Sequence, residues 1–120
     1  MRDGRVLVTR NRGVEVFYFP GGKREPGESD AETLAREIDE ELRSQIDTAT
    51  MVHFGTFETR RESDGHTEFR MICYTAEHSG PLRASSEIAA TDWFAYGDRS
   101  RVSAVDQMVF DMLHSAGQLP

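Results

Sequence analysis

Glu37, Glu40 and Glu41 stand at i, i+3 and i+4 in a stretch whose apolar residues recur at helical spacing, so these carboxylates share one helix face. At about 100° per residue they span a sector about 100° wide, away from an apolar stripe of Ala31, Leu34, Ala35, Ile38 and Leu42. The stripe is expected to meet the core and the acids to stay clear of it. Like charges at this spacing cost a helix ~0.2–0.5 kcal/mol per pair, and no lysine is interleaved among them. Arg36 can reach Glu40 at i+4, but a single cation cannot balance the set, and Glu32 and Asp39 add further negative charge. A hard divalent cation is the natural partner. Carboxylate oxygens suit Mg²⁺ or Mn²⁺, and Mg²⁺ typically keeps waters and phosphate oxygens as its other ligands. Taken alone, the same residues also describe a solvated acidic helix face.

The elements that must position these acids can be read from periodicity. Ser29 followed by Glu32 is a capping box that starts the helix. Before it, Pro20 to Gly27 holds three Gly and two Pro in eight positions, a loop. Arg5 to Arg10 and Val14 to Phe19, separated by Asn11-Arg12-Gly13, are expected to form a hairpin. After the helix the period changes to two. Val52 and Phe54 mark one strand, Phe69, Met71 and Cys73 another, and Asp64-Gly65 the turn between them. A short strand is expected around Trp93 to Tyr96, and Ser103 opens a second helix with a stripe of Val105, Met108, Val109, Met112 and Leu113. Strands mixed with one central and one final helix suggest a mixed sheet packed between helices.

Loop and helix together read Gly22, five residues, Glu28, seven residues, Arg36-Glu37-Ile38, one residue, Glu40-Glu41, preceded by Phe19-Pro20-Gly21 and continued by Lys23. This resembles the Nudix box, the signature loop-helix of the Nudix hydrolase superfamily, and the short chain is similar to its MutT-like members. The resemblance implies an α/β fold, an α/β/α sandwich with a mixed sheet, as a single domain over residues 1–120. It implies that Glu37, Glu40 and Glu41, with a backbone carbonyl near Gly21, hold Mg²⁺ or Mn²⁺, and that Arg36 orients the carboxylates. The general base stays open among Glu37, Glu40, Glu41, Glu28 and the distant Glu87. Arg10 and Lys23 match positions where family members place phosphate-contacting cations. The implied reaction is hydrolysis of a phosphoanhydride bond in a nucleoside diphosphate-linked substrate, with nucleoside triphosphates as the first class. Nucleotide sugars and dinucleoside polyphosphates are alternatives, and a nucleotide sensor that does not cut is a reading of another class.

The chain departs from the family pattern in three places. Arg43 and Ser44 replace the Gly and aliphatic residue expected after the helix, which removes the easy left-handed stop and leaves the aliphatic contact to Ile46. Only four residues precede Arg5 to Arg10, where the family places a further strand: either the sheet lacks it, a second subunit supplies it, or the chain starts later than the ancestral domain, and an uncovered sheet edge would favour self-association as a homodimer. The neighbourhood of Ser103-Ala104-Val105-Asp106 lacks the purine-reading Asn of MutT-like enzymes.

Charge and composition bound the rest. With 14 Lys and Arg against 21 Asp and Glu, a formal charge of −7 over 120 residues disfavours DNA, RNA or anionic membrane as partners, without forbidding a small anion held beside a cation. The polar Met1-Arg2-Asp3-Gly4 start and the absence of an apolar run of spanning length suggest a cytoplasmic protein. The lone Cys73 falls in an alternating strand and reads as a core thiol, not a nucleophile. His53, His66, His78 and His114 show no metal-ligand spacing.

Overall fold

A computed structural model describes residues 1–120. In chain order the elements are β1 (Val6–Asn11), α1 (Asp30–Leu42), β2 (Gln45–Arg60), β3 (Thr67–Ser79), β4 (Ile88–Phe94), a 3-10 helix (Tyr96–Arg101) and α2 (Ala104–Ser115). The α/β class expected from the sequence is the class observed. Its strands form two antiparallel ribbons, β1 with β4 and β2 with β3.

In the first ribbon Val6 faces Phe94 and Val8 faces Asp92. Val6, Val8 and Phe94 are buried, and they meet Val105, Val109, Phe110 and Leu113 of α2 together with Phe17, Phe57, Val102 and Leu119 in one core cluster. Phe17 and Phe94 lie 4.7 Å apart between ring centroids, within the range where aromatic pairs attract. The buried face of α2 is Val105, Val109, Phe110 and Leu113, whereas Met108 and Met112 are exposed. The expected stripe was therefore rotated: Phe110 belongs in it and the two methionines do not.

Two strand boundaries also differ. Val14 to Phe19 does not ladder along β1. It makes one bridge, with Thr9 and Tyr18 exchanging backbone hydrogen bonds of 2.8 Å, and a parallel bridge from Phe17 to Val102 on its other edge. The segment is divided between two partners, so it pairs fully with neither. β4 begins earlier than expected, at Ile88, and stops at Phe94, because Tyr96 enters the 3-10 helix.

The second ribbon is longer than the alternation suggested, since bulges between Asp47 and Val52 and between His53 and Gly55 break the period of two. Phe57 is its one buried residue, while Val52 and Phe69 are exposed. α1 packs on β2, burying Ile38 and Leu42 outside the main cluster. Its start is the capping box foreseen: Ser29 Oγ accepts from the Glu32 N–H, and Glu32 Oε1 accepts from the Ser29 N–H, both at 3.1 Å. Its end keeps a left-handed stop without glycine. Arg43 takes φ 49° and ψ 38° and donates its N–H to the Asp39 carbonyl. Ser44 is buried with its hydroxyl on the Ser79 carbonyl at 2.8 Å, and Ile46 is half-buried opposite His78.

Candidate active site

The segment from Gly21 to Glu41 folds back so that loop and helix hold each other. Arg36 is the hub. Its Nε and Nη2 donate to the two oxygens of Glu28 at 2.8 and 2.9 Å, its Nη1 to Glu37 at 2.8 Å and to Glu40 at 3.5 Å, and its Nη2 also to the Lys23 carbonyl at 3.1 Å. Such a two-pronged guanidinium–carboxylate pair fixes geometry as well as charge. Glu28 takes two more bonds, from the Glu25 N–H at 2.8 Å and the Thr33 hydroxyl at 3.1 Å. The Arg36 bond first, and then the Glu25 N–H, hold its carboxyl down at about 2. Arg36 in turn is held more firmly protonated than usual, chiefly by Glu28.

Glycine is required where the loop meets the helix. A Cβ on Gly22 would lie 2.4 Å from the Glu37 Cδ, so the backbone approaches that carboxylate more closely than any side chain permits. Gly21, at φ 143°, turns its N–H to Glu41 Oε1 at 3.0 Å.

Glu41 corrects the expectation that the acids avoid the interior: it is 5% exposed. Burial pushes its carboxyl up to about 7, opposed by the Gly21 N–H and reinforced by the charges of Glu37, Glu87 and Glu40. The helix end beneath it is tied down by the chain that leads to Glu87. The Leu42 carbonyl accepts from the Arg83 N–H and the Glu41 carbonyl from the Ser85 N–H, each at 2.8 Å. This answers the otherwise unpaired carbonyls of a helix C-terminus. It also brings the exposed Glu87, distant in sequence, to the same cleft as Glu41. Glu87 is held below its usual range by the Ser86 hydroxyl first, with Arg12 contributing.

The cleft has a volume of about 770 Å³ and lies between the two ribbons and the loop-helix. Gly21, Gly22, Lys23, Glu41 and Glu87 line it; Glu37, Glu40, Glu28 and Arg36 stand outside it. Arg10 is not in its wall either, because its guanidinium donates to the Val14 carbonyl at 3.1 Å and lies 6.0 Å from the Phe17 ring centroid. The sequence reading missed Asp106. This carboxyl is 2% exposed, accepts from the Ser103 hydroxyl at 2.7 Å and is pushed up to about 6 by burial, yet it borders the same cleft. A charged residue on the apolar side of α2 was the available signal. Cys73 also borders it as a half-buried free thiol, pushed up to about 11 by burial.

Chemically, the side chains fit a hard divalent cation. Glu37, Glu40 and Glu41 offer only oxygen donors, and Glu41 is a buried carboxyl whose charged form is opposed by its neighbours. No three acidic, His or Cys side chains converge on one point, so any cation there would take most of its ligands from water or substrate.

Comparison with known proteins agrees with the fold. Among solved structures, a nudix hydrolase family member from Chromobacterium violaceum is similar over 96% of this chain and 70% of its own, with 24% identity and a TM-score of 0.75. The MutT NUDIX hydrolase from Burkholderia pseudomallei is similar over 94% of this chain and 91% of its own, with 23% identity and a TM-score of 0.77. A UDP-X diphosphatase is similar over 98% of this chain and 59% of its own, with 18% identity and a TM-score of 0.62. A search among curated proteins finds no match. The NUDIX domain profile matches residues 1–108, so the chain belongs to that family and is a Nudix hydrolase.

Proposed function

We propose that the protein hydrolyses a phosphoanhydride bond of a nucleoside triphosphate, using Mg²⁺ or Mn²⁺ held by Glu37, Glu40 and Glu41 with the Gly21 carbonyl. The observation that carries this reading is Glu41, a buried carboxyl that joins the acidic helix face to the cleft and has its pKa pushed up to about 7. A cation held there would supply charge neutralisation on the diphosphate oxygens and would make water more acidic for attack on phosphorus.

The chain's own residues do the rest. Lys23 stands at the wall of the cleft, where its ammonium meets the phosphate chain. Arg36 holds Glu37 and Glu40 in place through its guanidinium, a positioning role set by the hydrogen bonds it makes. Glu28 is a poor candidate for the base, since both its oxygens are occupied and its carboxyl is held at about 2. Glu41 and Glu87 face the cleft, and the proton leaving the attacking water goes to one of them. Asp106 is the polar group on the α2 side of the cleft and fits a hydrogen bond to a base edge. Arg10, turned to the Val14 carbonyl, has no part in this arrangement.

The test is product analysis by phosphorus NMR on a panel of nucleoside triphosphates, nucleotide sugars and dinucleoside polyphosphates, with Mg²⁺ or with EDTA. Pyrophosphate or phosphate released from a triphosphate only with the metal is the expected result. Turnover confined to nucleotide sugars, the class of compound in the name of the UDP-X diphosphatase that shares the fold, moves the substrate assignment and keeps the chemistry. Binding of nucleotide without turnover of anything in the panel replaces the enzyme with a sensor.

A further inference from the structure

The β2–β3 ribbon is attached to the rest of the molecule in an unusual way. Its strands pair only with each other, and no backbone hydrogen bond joins residues 45–79 to another part of the chain. Its ion pairs, Arg60 and Arg70 with Glu58 and Arg61 with Asp64, are internal. One residue of the ribbon, Phe57, is buried. At its base the Ser44 hydroxyl meets the Ser79 carbonyl. Far from that base, one polar contact crosses to the body: Tyr74 Oη donates to Asp30 Oδ2 at 2.6 Å.

Asp30 is well placed to receive it. As the first residue of α1 its charge is favoured by the helix N-terminus. Its other oxygen binds the Arg24 guanidinium. The chain Tyr74–Asp30–Arg24 therefore runs from the ribbon, through the first turn of α1, into the loop that carries Gly21, Gly22 and Lys23. Tyr74 is braced from behind by His53, edge-on at 5.5 Å between centroids, and His53 is itself held by Thr56 at 3.2 Å. Bonding to an ionised carboxylate is visible on both partners, since Asp30 is held below its usual range and Tyr74 raised above it, each chiefly by the other. Tyr74, Asp30, Arg24 and Lys23 all border the 770 Å³ cleft.

We propose that Tyr74 is a positioning residue: through Asp30 it clasps the β2–β3 ribbon to the box loop and so sets the width of the cleft that receives the substrate. A phenol bonded to a carboxylate is stronger than a neutral pair, and the ribbon's other holds on the body are apolar and non-directional: buried Phe57, with half-buried Phe54, Met71 and Cys73, against the core. The assignment of the cleft to substrate rests on the function proposed above; the mechanical part does not.

Tyr74→Phe separates the two, because it removes the hydroxyl and keeps the ring. In amide hydrogen exchange of the metal-free protein, residues 45–60 and 67–79 should exchange about tenfold faster in the variant, with α2 and the β1–β4 ribbon unchanged. Asp30→Ala should give the same pattern, which guards against a local defect of the aromatic substitution. In turnover of a nucleoside triphosphate, KM should rise about fivefold or more while kcat moves by less than about twofold. Unchanged exchange in the ribbon, or faster exchange spread evenly over the molecule, would overturn the clasp. Faster ribbon exchange with KM unaltered would overturn its role at the cleft. If no nucleotide is turned over by the wild type, the proposed function fails while the exchange result still decides the clasp.

Discussion

Gly22 has no positive φ, so its requirement is one of space: the Glu37 carboxylate occupies the position a methyl would take. Gly22→Ala should therefore leave the fold intact and displace Glu37, lowering kcat about tenfold to a hundredfold, since small displacements of a reacting group are costly. Steady-state kinetics beside a melting curve check it; a variant that turns over as the wild type does would show that Glu37 is free to move. Glu41 carries a second prediction. A carboxyl with a pKa near 7 is about half protonated at neutral pH, and a cation must displace that proton. Affinity for Mg²⁺ or Mn²⁺ should rise with pH through about 7, with about half a proton released per ion at pH 7, measurable by calorimetry in buffers of different ionisation enthalpy. At this scale the sequence was informative about which residues the loop and helix bring together, because the spacing of Gly22, Glu28, Arg36 and Glu37 to Glu41 is local. It was not informative about the burial of Glu41 or the presence of Asp106, which depend on where β2, α2 and the 83–87 segment pack.

α1 begins as its sequence requires and ends in a strained way. A left-handed residue with a Cβ costs roughly 1–2 kcal/mol relative to the right-handed form, and Arg43 is exposed with no ion pair to offset it. Arg43→Gly should raise stability by about 1 kcal/mol in chemical denaturation, without loss of activity. A loss of stability would mean that the Arg43 side chain holds the helix end in some other way. The helix start was legible because a capping box is a short-range pattern. The ends of the strands were not. Val14 to Phe19 is apolar enough for a ladder but is shared between Thr9 and Val102, and bulges in β2 hide its length. The α2 stripe was misplaced because Val105, Met108, Val109, Met112 and Leu113 also satisfy helical spacing; only packing against β1 and β4 selects Phe110 over the methionines.

For the whole molecule, the titrating groups give stability a maximum in acid. Glu28, Asp30, Glu87 and Asp111 are held below their usual range, chiefly by Arg36, Tyr74, Ser86 and Arg99 respectively. Their contribution is present above the ordinary carboxylate pKa and is lost as pH falls through the folded values. Asp106 and Glu41 behave oppositely. Burial raises them to about 6 and about 7, so the folded state binds protons that the unfolded chain has released. Their contribution is complete below about pH 4 and is lost as pH rises through 6 and 7. In EDTA, the stability from denaturant unfolding should peak near about pH 5 and fall by on the order of 1–1.5 kcal/mol by pH 8 from Asp106 alone, with Glu41 adding to the fall. Asp106→Asn should flatten that alkaline limb, and a limb of unchanged slope would place the Asp106 carboxyl in water.

Whether the acidic face ending at Glu41 is a hydrolytic centre is decided by nucleoside triphosphate turnover in wild type and Glu41→Gln, each with Mg²⁺ and with EDTA. The substitution keeps the shape of the side chain and an acceptor for the Gly21 N–H, but removes the charge. Activity should need the metal and fall at least about a hundredfold in the folded variant. Metal-dependent turnover that survives Glu41→Gln undiminished would contradict this and place the reaction elsewhere in the molecule.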